Sequence, residues 1–136
     1  MPPFFDTNVL VYFVDDDEPK KQEVARVLVQ EYLVEGDGML SVQVLREFYS
    51  ASRKLSRPLS DQQAEEMVGY FATFSPLPED ARMVLGAVRR SREYMHSFWD
   101  ALIVESALSA GANRLLTEDL QHGQEIEGLH IENPFL

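Results

Sequence analysis

The sequence contains no cysteine, and this absence removes several kinds of chemistry at once. Thiol nucleophiles, disulfide bridges and zinc sites built on thiolates are excluded, so any bound metal would be held by oxygen or imidazole ligands. Long apolar runs are absent too, and no stretch is long enough to span a bilayer. The first residues lack the basic start and apolar run of a signal peptide, so we expect a cytoplasmic protein with no membrane partner.

Basic residues are scarce, because 12 Lys and Arg stand against 23 Asp and Glu and give a net charge of -11. This balance argues against a broad electrostatic grip on nucleic acid, since counterion release requires cations near phosphates. The basic residues that remain are concentrated locally. One group crowds a single segment and consists of Arg46, Arg53, Lys54 and Arg57.

Glycine and proline are modest in number, at seven each, while 45% of the residues are hydrophobic and 26% are charged. Such a composition is typical of a folded protein rather than a disordered chain. The 136 residues show no internal repeat, linker or low-complexity tract. We therefore predict one domain over residues 1–136, with a single core.

Short apolar segments alternate with segments of helical periodicity along the chain. The predicted strands are 3–5, 38–42, 75–77, 114–117 and 130–132, and the predicted helices are 7–13, 18–35, 43–55, 61–73, one opening at Pro78, and 97–111. This alternation favours a mainly parallel sheet covered by helices on both faces. In such folds, functional sites collect outside the carboxyl ends of the strands.

Four acidic residues fall at or after predicted strand ends, or early in the helices that follow: Asp6, Glu47, Asp100 and Asp119. Residues far apart in the chain would thus meet at one edge of the sheet. Converging carboxylates suit Mg²⁺ or Mn²⁺, which prefer oxygen ligands and can activate water while shielding a phosphate's charge. The pattern predicts a site for metal-dependent hydrolysis of a phosphoester.

Each of these acids also has a purely structural interpretation. Asp6 could cap the helix that follows it, and Asp100 could complete a capping box with Ser97. Glu47 lies off the apolar face of its helix and could be solvated surface, and Asp119 could be a turn residue. Taken singly, the residues leave both interpretations open.

Other candidate residues carry weaker signals. The three histidines have neither metal-ligand spacing nor a recognisable nucleophile partner, and the glycines form no phosphate-binding motif. Trp99, the only tryptophan, shares helical spacing with apolar residues such as Leu102 and Ile103. This spacing predicts that Trp99 belongs to the core rather than to a surface that stacks bases.

Read together, four segments resemble the PIN-domain family, especially the VapC-like toxins of bacterial toxin–antitoxin pairs. They are FDTNVLVY at 5–12, QVLREFY at 43–49, FWDALI at 98–103 and LLTED at 115–119. No single segment is specific, but their order and context extend over nearly the whole chain. The resemblance implies a three-layer α/β/α sandwich with a central, mainly parallel sheet.

The resemblance also implies a function and a set of site residues. The implied activity is Mg²⁺- or Mn²⁺-dependent hydrolysis of RNA phosphodiester bonds, with Asp6, Glu47, Asp100 and Asp119 as metal-binding and catalytic acids. Asn8 and Thr117 match polar positions that help to orient the site. The implied partners are an RNA substrate and a cognate antitoxin protein. The resemblance leaves open whether the chain forms a homodimer.

Two further expectations follow from this assignment. Because Arg46, Arg53, Lys54 and Arg57 lie close to Glu47 in sequence, we expect them to border a local path for the substrate. The competing functions are a non-catalytic binding module that keeps the same fold, and a phosphohydrolase that acts on another phosphoester. Intact acids at all four positions rank the binding module below the ribonuclease, and the other phosphohydrolase ranks third.

Overall fold

A central sheet organises the molecule, seen here in a computed structural model that describes residues 2–136. Its strands are β1 (Pro3–Phe5), β2 (Arg114–Leu116), β3 (Glu125–Ile126) and β4 (Leu129–Glu132), in the order β1-β2-β4-β3. The pairs β1–β2 and β2–β4 are parallel, whereas β3 and β4 form an antiparallel hairpin. The central strands are thus parallel, as the sequence predicted.

Two extended segments widen the sheet beyond β1. Met39 pairs with Phe4 in parallel, and Ser41 pairs with Leu77 in parallel. The Phe5 N–H donates to the Met39 carbonyl at 2.8 Å, and the Leu77 N–H donates to the Leu40 carbonyl at 2.9 Å. These bridges lie within the predicted strands 38–42 and 75–77.

Six α-helices cover the sheet and complete a three-layer α/β/α arrangement. They are α1 (Thr7–Val14), α2 (Pro19–Leu28), α3 (Val42–Ser52), α4 (Asp61–Ala72), α5 (Ala81–Tyr94) and α6 (Phe98–Ser109). A π-helical segment, Val29–Val34, continues α2. Helix α1 packs against α2 and α3, and α5 packs against α6.

The core lies between the sheet and these helices. Phe4, Phe5, Leu115 and Leu116 are all fully buried, although they are consecutive in their strands. Consecutive residues of a strand point to opposite faces, so burial on both sides requires helices on both faces. Apolar runs rather than alternation were therefore the correct signal for these strands.

Three predictions of secondary structure need correction. Strand β3 was not predicted, because it has only two residues and joins β4 through a tight turn in which Glu127 and Gly128 have φ values of 50° and 89°. Helix α5 begins at Ala81 rather than at Pro78, since the Asp80 side chain accepts the Met83 N–H and caps it. The long helix predicted over 18–35 divides into α2 and the π-helical segment.

The prediction that Trp99 belongs to the core is wrong, because this side chain is 59% exposed. Phe98 takes the inward position at the start of α6 and packs against the cluster between α5 and α6. Trp99 lies about 100° further round the helix and faces solvent. Because α6 is apolar on nearly every side, its periodicity could not indicate which residue would face outward.

Membrane insertion through a helix finds no support in residues 2–136, where no helix combines the length and the apolar character needed to cross a bilayer.

Candidate active site

The candidate site begins where β1 and β2 end side by side. Phe5 and Leu116 are paired in register, and the next residues along the chain are Asp6 and Thr117. The Asp6 N–H donates to the Leu116 carbonyl at 3.0 Å. Two polar residues 111 positions apart therefore meet at one edge of the sheet, as the strand-end rule predicted.

Asp6 is almost fully buried, at 5% exposed, and both carboxylate oxygens accept hydrogen bonds. Oδ1 accepts the Thr7 N–H at 2.7 Å, so Asp6 caps α1. Oδ2 accepts the Thr117 hydroxyl at 2.8 Å. The capping interpretation is thus confirmed. The same carboxylate also takes part in a polar cluster with Thr117, and the two roles are compatible.

Burial raises the pKa of Asp6 from 3.8 to about 7. The hydrogen bonds from Thr117 and Thr7 lower this pKa, but the negative charges of Asp119 and Glu47 raise it. A carboxylate so placed is poorly stabilised in its charged form. A nearby cation would favour ionisation and relieve this cost.

Thr117 is the hub that joins Asp6 to Asp119. Its hydroxyl is fully buried and accepts the Asp119 N–H at 3.0 Å and the Asn8 Nδ2–H at 3.1 Å. The Asn8 amide also donates to the Asp119 carboxylate at 3.2 Å. Asn8 and Thr117 thus connect Asp6 and Asp119 through hydrogen bonds, and their role in orienting a metal site stays a prediction.

Glu47 approaches the cluster from α3 and is held by two residues that the sequence analysis missed. Its Oε2 accepts the Thr7 hydroxyl at 3.1 Å, and its Oε1 accepts the Gln43 Nε2–H at 2.7 Å. Gln43 is 1% exposed, and its own Oε1 has no hydrogen-bond partner among residues 2–136. The sequence shows a glutamine one helical turn before a glutamate, but this spacing does not indicate that the pair would be buried at the site.

Asp100 lies in the first turn of α6, where the Ser97 hydroxyl accepts the Asp100 N–H at 3.1 Å. The expected capping box is only half formed, since the Asp100 carboxylate makes no reciprocal bond to the Ser97 backbone in the described chain. Asp119 is more exposed than Asp6, yet partial burial raises its pKa, and the charge of Asp100 raises it further. Asp100 is thus an electrostatic neighbour of Asp119.

Within residues 2–136, no basic side chain forms an ion pair with these four acids. Across residues 2–136, none of Asp6, Glu47, Asp100 and Asp119 lies within 4.0 Å of a lysine, arginine or histidine nitrogen. Over the same residues, no three His, Asp or Glu side chains converge closely enough to hold one ion between them. The carboxylates share one electrostatic environment without forming a closed coordination cage.

The donor set nevertheless fits Mg²⁺ or Mn²⁺ in its chemistry. These ions prefer carboxylate oxygens, and Mg²⁺ usually keeps several waters while it binds only one or two protein carboxylates. An open group of acids without a counter-cation meets that requirement. The open cleft beside it has a volume of about 370 Å³, and its lining includes Thr7, Asn8, Tyr12, Glu47 and Asp119.

One edge of this cleft is braced by a small network around Glu118. Its carboxylate accepts the Tyr12 hydroxyl and the Lys21 ammonium, and the ammonium lies 3.2 Å from Glu118 Oε2. Lys21 also sits 4.7 Å from the centre of the Tyr12 ring. Helices α1 and α2 are thereby tied to the loop that carries Asp119.

The predicted basic group near Glu47 is largely engaged with protein carboxylates. Arg46 pairs with Glu79, Arg53 with Asp61, and Arg57 with Asp17. Among the four, only Lys54 has no carboxylate within 4.0 Å in residues 2–136. Whether this group borders a substrate path stays a prediction.

Comparison with known proteins identifies the family. The PIN domain model matches residues 4–124, so the chain belongs to the PIN domain family. No curated protein matches the sequence.

Solved structures share the fold at low sequence identity. A toxin–antitoxin complex from Klebsiella pneumoniae superposes with a TM-score of 0.70 at 19% identity and covers 97% of both chains. VapBC2 from Rickettsia felis, bound to a promoter DNA fragment, gives 0.67 at 19% identity and covers 98% of both chains. FitAB bound to a DNA fragment gives 0.67 at 16% identity and covers 98% of this chain and 96% of that one.

Proposed function

We propose that this protein is a metal-dependent endoribonuclease, and that it is the toxin of a toxin–antitoxin pair. The observation that carries the proposal is that the charges of Glu47, Asp100 and Asp119 act on one another or on Asp6 near the ends of β1 and β2, with no basic side chain within 4.0 Å of these acids in residues 2–136. Membership of the PIN domain family supports a nuclease activity. RNA as the substrate follows from the family resemblance of the sequence.

The acids would hold Mg²⁺ or Mn²⁺, with Asp6, Asp100 and Asp119 as candidate ligands and Glu47 completing the set. Such an ion supplies a nucleophilic water at neutral pH and shields the charge of a scissile phosphate. Thr117 and Asn8 fix the positions of Asp6 and Asp119 through the bonds described above. Thr7 and Gln43 hold the Glu47 carboxylate toward the cleft.

An antitoxin partner is supported by the similar structure from Klebsiella pneumoniae, which is a toxin–antitoxin complex. A negatively charged cleft would be neutralised by a basic side chain of such a partner. Co-expression with a neighbouring small gene and co-purification of its product would test the pairing.

Cleavage of RNA tests the enzymatic part of the proposal. Purified protein is incubated with single-stranded and structured RNA, with and without Mn²⁺, beside Asp100→Asn and the control Asp37→Asn. Asp37 is exposed and precedes the extended segment at the opposite end of the strands. We expect Mn²⁺-dependent cleavage by the wild type and by Asp37→Asn, and a loss of at least 100-fold in Asp100→Asn.

Equal cleavage by the wild type and Asp100→Asn would eliminate the proposed site. No cleavage by any preparation would favour a binding module with a PIN fold. That alternative draws on one observation, namely that the carboxylates of residues 2–136 do not close into a direct three-ligand cage.

A further inference from the structure

The indole of Trp99 lies open to solvent, although a tryptophan usually buries most of its large apolar surface. At 59% exposed, it is the most exposed aromatic side chain in residues 2–136. Tyr49 and Tyr94 are also exposed, but each has an arginine guanidinium over its ring, at 5.8 and 5.7 Å. The one aromatic neighbour of Trp99 is Phe98, which packs edge-on at 5.1 Å.

The backbone of Trp99 is tied to the acidic cluster. Its carbonyl accepts the Gln43 Nε2–H at 3.3 Å, and the same amide donates to Glu47 at 2.7 Å. Asp100 is the next residue, so the indole and this carboxylate leave the same turn of α6. Ser97 caps that turn and Phe98 packs against the core beneath it. The backbone that bears the exposed indole is therefore held in place on both sides.

An exposed ring on the turn that carries Asp100 offers RNA a contact that requires no positive charge. The net charge is -11, and three of the four basic residues near Glu47 are already paired with carboxylates, so this group offers few free cations to bind phosphates. Stacking of a base on an aromatic ring contributes affinity without a positive charge. Single-stranded RNA is commonly bound in this way, because its unpaired bases can be splayed onto aromatic side chains.

We propose that Trp99 is a stacking platform for an unpaired base of single-stranded RNA, next to the phosphate that the acids address. The inference rests on the proposed ribonuclease function and assigns a binding contact within it. Trp99 would bind and position the substrate, whereas the carboxylates would act on the phosphate. Because every base presents a π face, this contact would tolerate many sequences.

The sole tryptophan of the chain reports on the contact directly through its fluorescence. The titration uses Asp6→Asn, a change that removes no hydrogen bond to Trp99 and should prevent cleavage of the RNA. The same titration is repeated with the wild type in the presence of a chelator. A dye-labelled single-stranded RNA gives the bound fraction from its anisotropy. We expect the indole emission to fall by about half or more in step with binding; bound RNA with unchanged emission overturns the proposal.

Three substitutions separate stacking from general apolar contact. Trp99→Leu keeps apolar bulk but removes the π face, Trp99→Phe keeps a smaller π face, and Tyr94→Ala removes another exposed ring from the end of α5. We expect Trp99→Leu to weaken RNA binding on the order of tenfold, and Trp99→Phe and Tyr94→Ala to change it by less than about threefold. In cleavage, Trp99→Leu should raise KM more than it lowers kcat.

Salt dependence distinguishes this role from a phosphate contact. Since stacking releases no counterions, the slope of log Kd against log salt should be the same for the wild type and Trp99→Leu. If Trp99→Leu binds RNA as tightly as the wild type, the stacking role is contradicted, and a change in its oligomeric state without a change in RNA binding contradicts that role too. Either result leaves the nuclease proposal standing. If no preparation binds or cleaves RNA, both proposals fail.

Discussion

At the scale of single residues, Asp6 carries two roles in one carboxylate. One oxygen caps α1, and the other accepts the hydroxyl of Thr117, while burial raises the pKa to about 7. A buried acid that serves only as a cap would need no further negative charges beside it. Burial makes its ionised form costly, and the charges of Asp119 and Glu47 add to this cost unless a cation is bound.

The raised pKa of Asp6 predicts how stability depends on pH in the metal-free protein. The folded-state pKa of about 7 exceeds the unfolded value of 3.8, so protonated Asp6 favours the folded state. This stabilising contribution is fully present below about pH 4 and is lost as the pH rises through 7. We expect the free energy of unfolding to fall by about 2–3 kcal/mol between pH 5 and pH 8 through this group. Chemical denaturation at both pH values measures it.

The variant Asp6→Asn isolates this contribution, since an asparagine keeps the cap but does not titrate. It should remove most of the pH-dependent loss, while Asp37→Asn should leave the loss as in the wild type. A decline of the same size in Asp6→Asn and the wild type would show that Asp6 is not the titrating group.

At the scale of elements, a serine caps the start of α3, α4 and α6, and α4 is the one of these three helices that carries no candidate site residue. Ser97 caps α6 and binds the N–H of Asp100, whereas Ser60 caps α4 through a complete capping box with Gln63. Helix α4 contributes none of the four acids. A comparison of Ser97 with Ser60 therefore separates two effects of a serine cap, namely the stability of the helix end and the position of a carboxylate in the first turn.

Replacing each serine by alanine should therefore have unequal consequences. We expect Ser97→Ala and Ser60→Ala each to cost about 1 kcal/mol of stability, because each removes a cap. Only Ser97→Ala should reduce RNA cleavage, by about tenfold, since it loosens the turn that carries Asp100. Thermal melts and initial rates, measured well below both melting temperatures, provide the comparison. Equal rates in the two variants would argue against a role for this turn.

At the scale of the whole molecule, the parallel sheet and the meeting of Asp6 with Asp119 could be predicted from the sequence. Each residue follows a short apolar strand, and the carboxyl ends of parallel strands lie at one edge. The partners of Glu47 could not be predicted, because a bond such as Gln43 to Glu47 depends on how α3 is turned against its neighbours. The exposure of Trp99 could not be predicted either, because a helix that is apolar all round does not indicate which side faces outward.

The central claim is that Asp6, Glu47, Asp100 and Asp119 act as one divalent-metal site, and calorimetric titration of the metal-free protein with Mn²⁺ tests it most directly. The account predicts saturable binding to the wild type and to Asp37→Asn, and binding at least about tenfold weaker in Asp6→Asn, Asp100→Asn and Asp119→Asn. Absence of Mn²⁺ binding in the wild type, or equal affinity in all five proteins, would contradict it.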